Sequence, residues 1–326
     1  ALQANTTASN NTAVGHQAAY SNTTGTQSVL VGTQAGYANT TGNITGVGFR
    51  SLYSHTTGFQ NTGIGESAGY SVTTGSNITA IGYQAGYSIA TNPQLTAVGA
   101  YAALYQTDVN DAFGYQAMRG ASGTSTGYYN VAVGRQSMYS LTSGMNNVAM
   151  GMQALYSNAT GSNNTAIGYG ALYSFTSSNT VAVGYAALNT LSTGTGNTAV
   201  GAEALASVTT ANDNTAFGRV ALNANTGAQN TAVGRSALAN NTTASYNTAV
   251  GYGAAYSNTT GNTIDAFGAN TLYNNTTGQN NVGLGNSALY TNSTGSYNVA
   301  VGRDALKLNT TASNNTAVGY QAGYSG

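Results

Sequence analysis

The stretch Asn-Thr-Ala-Val-Gly-Tyr-Gln-Ala at residues 315–322 is one copy of a unit that recurs along the whole chain. An apolar residue followed by Gly, here Val318, marks each copy, and we call this apolar residue the anchor. From Val14 to Val318 there are 304 residues in eighteen steps, or about seventeen per step. A short fixed period is typical of repeat architectures. The nineteen anchors are Val14, Val31, Val47, Ile64, Ile81, Val98, Phe113, Val133, Met150, Ile167, Val183, Val200, Phe217, Val233, Val250, Phe267, Leu284, Val301 and Val318.

The residues around each anchor have the period of a β-strand. Val131 and Val133 are β-branched and two positions apart, and Thr316 and Val318 repeat the pattern. A period of two indicates a strand with one buried face. We therefore expect the anchor and the residue two before it to face inward. The position four after the anchor, usually Ala, is expected to face inward as well.

One copy is too small to fold alone. Ordering seventeen backbone residues costs about 17–34 kcal/mol, whereas burying one Val and one Ala returns only a few. Stacked copies would share strand pairing and one core. The sequence therefore predicts an all-β fold, a parallel β-solenoid of about nineteen coils in one continuous array over residues 1–326. Both ends read as ordinary repeat, so we expect the array to be uncapped.

Glycine follows every anchor, from Gly15 to Gly319. This position is expected to demand a positive φ or to leave no room for a Cβ. Later in the unit, the cluster Asn-Thr-Thr-Gly at residues 22–25 predicts a turn whose Gly25 has a positive φ. Each copy is thus a strand followed by turns.

The repeat loses its phase once, over residues 99–132. The steps from Val98 to Phe113 and on to Val133 are fifteen and twenty residues, just after the sole proline, Pro93. Because the two steps sum to nearly two repeats, we expect the stack to continue. Extra chain at residues 120–128 should bulge outward, either as a binding loop or as a tolerated insertion.

Charged residues are scarce and scattered. Seven Lys or Arg and seven Asp or Glu give a net charge of zero. Without a basic stripe, nucleic acid and membrane surfaces are not expected partners. Cys is absent and His16 and His55 stand apart, which gives no disulfide and no transition-metal pattern, so we expect no cofactor. No apolar run is long enough for a membrane helix. The chain opens at Ala1 without a signal-peptide pattern, and we expect the true N-terminus upstream.

The acidic residues do not form catalytic pairs. Glu66 and Glu203, for example, lie in separate copies with no second acid in register, so we expect no glycoside hydrolysis and no catalysis. Asp111 and Asp265 each stand two before a Phe anchor. Burying a lone carboxylate is costly. Either this column lies close to water or a trimer axis, or these two coils hold a local polar network.

A second apolar pair lies five and six positions after the anchor, as at Leu155 and Tyr156. Neighbouring strand residues face opposite sides, so one column should face outward unless the chain turns and takes both in. An outward Tyr ladder along about 90 Å would favour lateral association of chains, or stacking on sugar rings. Its members are Tyr20, Tyr37, Tyr53, Tyr70, Tyr87, Tyr139, Tyr156, Tyr173, Tyr256, Tyr273, Tyr290 and Tyr324.

The unit at residues 315–322 resembles the head repeats of YadA-like trimeric autotransporter adhesins. It also resembles repeat shafts of phage tail fibres and of bacterial surface proteins that precede an endosialidase-type chaperone domain. The resemblance covers nearly the whole chain. It implies a left-handed parallel β-roll, three chains side by side, on the surface of a cell or virion, where it would bind host or matrix surfaces.

These observations predict an extracellular structural or adhesive fibre segment that self-associates as a homotrimer or an end-to-end filament. A glycan-binding adhesin, with a host or matrix glycan held by the Tyr ladder, is the first alternative. An ice-binding solenoid is the second, because ladders of Thr can order water, although Thr23 and Thr24 are adjacent at a turn. The Asn-Thr-Thr turns also match N-glycosylation acceptors. These include Asn22, Asn39, Asn258, Asn275 and Asn309.

Overall fold

The structure is a computed structural model that describes residues 1–91, 94–121 and 125–324. In this part of the chain all regular secondary structure is β-strand, and there is no helix that could cross a membrane. The fold is a parallel β-solenoid with about seventeen residues per turn, as the repeat predicts. The chain divides into two compact units, residues 1–164 and 165–326.

Each copy contributes one strand of three or four residues that ends at the anchor. Within each unit, every strand pairs in parallel with the next one along the chain. The first unit contains β1 (Thr12–Val14), β2 (Val29–Val31), β3 (Ile44–Val47), β4 (Asn61–Ile64), β5 (Ile78–Ile81), β6 (Leu95–Val98), β7 (Asn110–Phe113), β8 (Asn130–Val133) and β9 (Val148–Met150). The second contains β10 (Thr165–Ile167), β11 (Val181–Val183), β12 (Thr198–Val200), β13 (Thr215–Phe217), β14 (Thr231–Val233), β15 (Thr248–Val250), β16 (Asp265–Phe267), β17 (Val282–Leu284), β18 (Val299–Val301) and β19 (Thr316–Val318).

The register brings equivalent residues of successive coils together. Val181 pairs with Thr198, and Val183 pairs with Val200, seventeen residues later. Past the strand, the N–H of Gly201 donates to the carbonyl oxygen of Val183 at 2.7 Å. Within each unit, each position of the repeat therefore becomes a column of side chains at equivalent places in successive coils.

The strands present the opposite face to the one expected. Ala199, between the two β-branched positions of β12, is fully buried, whereas the anchor Val233 is 38% exposed. The expectation that the β-branched pair faces inward is wrong. A Cβ added to Gly63 of β4 would lie 2.8 Å from Cγ of Leu52, so a Leu side chain already fills the inner side of the strand. Only a small residue fits at Gly63, although β2 has the buried Leu30 at the equivalent position, and the β-branched pair faces outward.

The Ala column four positions after the anchor is buried, which confirms that part of the prediction. Ala204 is fully buried, and so is the next residue, Leu205. Two consecutive residues can both face inward because the chain is not a strand here. Glu203 and Leu205 have φ of 58° and 51°, and Asp213 has 57°. Three left-handed residues per coil therefore bend the chain around the core.

Glycine is required after the anchor for both of the expected reasons. Gly65 has a φ of 126°, and a Cβ on it would lie 2.7 Å from the carbonyl oxygen of Gly82 in the next coil. The expectation for Gly25 is wrong, because it is not among the glycines with positive φ. Its Cβ would instead lie 2.5 Å from the carbonyl carbon of Thr41, so the approach of the next coil excludes a side chain.

The stack continues through the phase irregularity, as expected. Asp111 of β7 pairs with Thr96 of β6 and with Val131 of β8. Ser125 is buried and its N–H donates to the carbonyl oxygen of Tyr105 at 3.1 Å, so the chain has rejoined the stack by this residue. The expected bulge over residues 120–128 therefore does not include residues 125–128. Residues 122–124, and Pro93, lie outside the described residues.

Candidate functional site

In each of the two units, the anchors form an apolar column at the surface, with nine anchors in the first unit and ten in the second. Every anchor is apolar, yet eleven are exposed and the rest are half-buried. In the second unit, Phe217, Val233 and Phe267 are 43%, 38% and 39% exposed. The strand pattern of the sequence located this column but assigned it to the core.

A column of Thr, Val and Asp lies beside the anchors, two positions earlier. Asp111 is exposed and Asp265 is half-buried, so this column borders water, which is the first of the two interpretations made for these carboxylates. We call the two columns together the strand face. The column two positions after the anchors is also exposed, as its mixture of Tyr, Arg and Glu predicts, and Tyr185 is an example at 56%.

The predicted Tyr ladder lies at the surface, with the neighbouring Leu column buried, so one column of the pair does face outward. Eleven of the twelve tyrosines are half-buried and Tyr324 is exposed, with Nζ of Lys307 5.8 Å from its ring centroid. In the second unit Tyr273 stacks between Tyr256 and Tyr290, and slight burial and these neighbours raise its pKa. Tyr139 and Tyr156 stack at 5.0 Å.

The longest of these stacks has five rings. Neighbouring centroids are 5.0 to 5.1 Å apart and the ring planes are within 11° of parallel. Each inner ring therefore has both faces covered by other rings, and only its edge and hydroxyl remain for a partner. This geometry weakens the prediction that these tyrosines stack on sugars. The stack comprises Tyr20, Tyr37, Tyr53, Tyr70 and Tyr87.

The Asn of most Asn-Thr-Thr turns is inside the coil, with the exposed Asn5 as an exception. Nδ2 of Asn258 donates to Oδ1 of Asn241 at 2.8 Å and to the carbonyl oxygen of Gly261 at 2.9 Å. Asn275 continues the ladder by donating to Oδ1 of Asn258 at 2.8 Å. Because these side chains are buried, the folded chain does not offer them as glycan acceptors, although the sequence left that question open. The buried acceptor sites are Asn22, Asn39, Asn258, Asn275 and Asn309.

The hydroxyls of the turn threonines also bond to neighbouring coils. Oγ1 of Thr242 donates to the carbonyl oxygen of Thr259, and Oγ1 of Thr259 donates to that of Thr276, each at 2.9 Å. These hydroxyls are committed to the backbone and do not form a free array. Sequence reasoning correctly placed Thr23 and Thr24 at a turn but did not reveal this bonding.

His55 occupies the buried column that holds Asn in many other copies. Its Nδ1 lies 3.1 Å from Oδ1 of Asn39 and its Nε2 lies 3.0 Å from Nδ2 of Asn61, which fits a neutral ring that donates from Nδ1 and accepts at Nε2. Burial lowers its pKa to about 4, against a smaller opposing effect of a hydrogen bond with the backbone of Gly58. Among the described residues, no three His, Asp or Glu side chains are grouped as metal ligands.

No protein family and no curated protein matches this chain in sequence.

Proposed function

We propose that this chain is a structural segment of an extracellular fibre, and that copies associate side by side through the strand face. A β-solenoid is compatible with a shaft. The observation that carries the proposal is that the anchors are apolar in all nineteen copies, although in the single chain eleven of them are exposed and the rest are only half-buried. Exposed apolar stripes of this kind usually mark an interface.

The neighbouring column, two positions after the anchor, is a useful internal comparison. It is exposed to a similar degree, but it accepts Glu66, Arg219 and Arg235 as readily as Tyr. Exposed positions of this repeat therefore tolerate charged residues, and the anchors must be apolar for a reason other than their place in the single chain. A second copy could cover the anchors with its own apolar residues. Because successive coils are spaced equally in both copies, anchors of one copy can contact anchors of the other at every coil.

The resemblance to adhesin head repeats supports the same arrangement, since it implies three chains side by side at a cell or virion surface. Lateral packing favours a homotrimer over an end-to-end filament. We propose no catalytic role, because Glu66 and Glu203 lie in separate coils with no second acid in register.

Sedimentation of charge variants tests the interface. We expect the wild-type chain to sediment at a multiple of its 32.7 kDa mass. A double variant with Val233→Lys and Phe267→Lys should sediment as a monomer with an unchanged far-UV circular dichroism spectrum, because it puts charge on the apolar column. The matched control, Thr243→Lys with Thr277→Lys, changes exposed turn residues and should keep the oligomer. A monomeric wild-type chain, or an oligomer that survives the anchor variant, would contradict the proposal.

Ice binding is a second candidate, favoured by a different set of threonines from the turn pair. Thr198, Thr215 and Thr231 stand in successive coils on the strand face, and within the described part of the chain their hydroxyls have no bonding partner. This function would use the same face as self-association, so the two exclude each other. Thermal hysteresis by the wild-type chain would favour ice binding, and its absence would rule this candidate out.

A further inference from the structure

An edge of the first unit collects aromatic and charged side chains from five successive coils. We define the aromatic edge as Glu66, Tyr83, Tyr101, Tyr115 and Arg135, each two or three positions after its anchor. Backbone bonds fix their order: the N–H of Tyr101 donates to the carbonyl oxygen of Tyr83 at 2.8 Å. Because the coils carry these residues on hydrogen-bonded rungs, the edge is organised before any ligand arrives.

The rings of this edge are arranged differently from those of the Tyr stacks. Tyr83 and Tyr101 have centroids 5.1 Å apart with planes at 87°, and Tyr101 and Tyr115 are 6.2 Å apart at 83°. In an edge-to-face pair, the ring that presents its edge has neither face covered by its partner. Tyr83 is 38% exposed and Tyr115 is 43% exposed. Aromatic faces are thus available here that parallel stacking covers elsewhere.

Polar groups flank these rings. The Glu66 carboxylate is near the Tyr83 phenol, whose pKa is raised by Tyr101 first and to a lesser degree by slight burial and by Glu66. At the other end, the guanidinium carbon of Arg135 lies 5.6 Å from the centroid of Tyr115. Four coil steps, about 19 Å, separate the acid from the base. The edge therefore offers a hydrogen-bond acceptor, ring faces and a cluster of donors in a line.

We propose that the aromatic edge binds an uncharged linear oligosaccharide that lies parallel to the stack of coils. The C–H faces of sugar rings fit exposed aromatic faces, and their hydroxyls fit the carboxylate, the phenols and the guanidinium. The single acid and single base offset each other, which favours a neutral ligand. This site is separate from the strand face and does not depend on self-association.

Calorimetric titration with defined hexasaccharides tests the site. The probes are cellohexaose, maltohexaose and fully N-acetylated chitohexaose, with a hexauronate as the charged comparison. We expect at least one neutral probe to bind, and the variants Tyr83→Ala and Tyr101→Ala each to weaken it by about fivefold to tenfold. Tyr129→Ala is the matched control, since Tyr129 is 63% exposed in the same unit but lies outside the edge. Melting curves of each variant check that the fold is intact.

The proposal would be overturned by no binding of any neutral hexasaccharide at millimolar concentration, by binding of the hexauronate alone, or by equal affinity for Tyr83→Ala and wild type. An equal loss in Tyr129→Ala would also overturn it, since binding would then be general to exposed tyrosines. The monomeric variant with Val233→Lys and Phe267→Lys should bind as wild type does, so this test and that of the interface can fail separately.

Discussion

His55 is a buried titratable side chain at a position where the preceding coil has Asn39 and many other coils have Asn. Its folded pKa of about 4 lies below the ordinary value of 6.5, so the unfolded chain takes up the proton first as pH falls. The stability that depends on a neutral His55 is complete above pH 6.5 and is lost between pH 6.5 and 4. The shift corresponds to about 3 kcal/mol at most.

We therefore expect His55→Asn to remove this acid sensitivity, because Asn remains neutral and is the residue of the same column in other coils. Urea unfolding at pH 7, 5.5 and 4 measures the effect, as the difference between variant and wild type at each pH. His16→Asn is the control, since His16 is exposed and should leave the dependence unchanged. Identical pH profiles for His55→Asn and wild type would show that burial does not lower the pKa of His55.

Single residues also show why sequence reasoning reached only part of the core. The alternation of Val131 and Val133 predicts that they share a face, but it does not say which face is inside. That choice depends on Leu side chains from elsewhere in the coil, such as Leu52 beneath Gly63. Nor does the sequence indicate that Leu205 takes a left-handed conformation, because bulky residues rarely do.

The glycine that ends each strand is the element most constrained by the neighbouring coil. We expect Gly234→Ala to destabilise the second unit by about 3 kcal/mol or more, because Gly234 has a φ of 131° and its Cβ would lie 2.5 Å from the carbonyl oxygen of Gly251. Chemical denaturation measures this loss.

Gly253→Ala is the matched control for that substitution. Gly253 has a φ of 62°, a conformation that Ala186 adopts at the same place in another copy, and its Cβ would meet only side-chain atoms, the nearest being Oδ1 of Asn270 at 2.9 Å. Because side chains can move aside more easily than backbone, its replacement should cost less than that of Gly234, about 1–2 kcal/mol. Similar losses for the two variants would mean that contact between coils does not set the glycine requirement.

For the whole molecule, the period alone predicted the solenoid, its parallel pairing and its passage through the irregular repeat. These features could be predicted because every seventeen residues or so the sequence puts the same residue types at equivalent positions of the next coil. Handedness, one continuous array over residues 1–326, the homotrimer and the extracellular location stay predictions. Sequence reasoning did not identify the strand face as a surface, because alternating apolar residues give the same pattern whether they face the core or another chain. Only the burial of each side chain in the folded coil shows which side of the strand is inside.

The in-register stacking of parallel coils underlies the fold, the strand face and the aromatic edge alike. The natural chain has no Cys, so paired cysteines report on it without background. Thr231 and Thr248 are register partners on neighbouring strands, and they lie about 4.8 Å apart, within reach of a disulfide. Thr231→Cys with Thr248→Cys should close an intramolecular disulfide on oxidation, seen by peptide mapping. Thr231→Cys with Ala249→Cys should not, because Ala249 faces the opposite side. The seventeen-residue register would be contradicted if the cysteines at 231 and 248 formed no disulfide, or if those at 231 and 249 formed one instead.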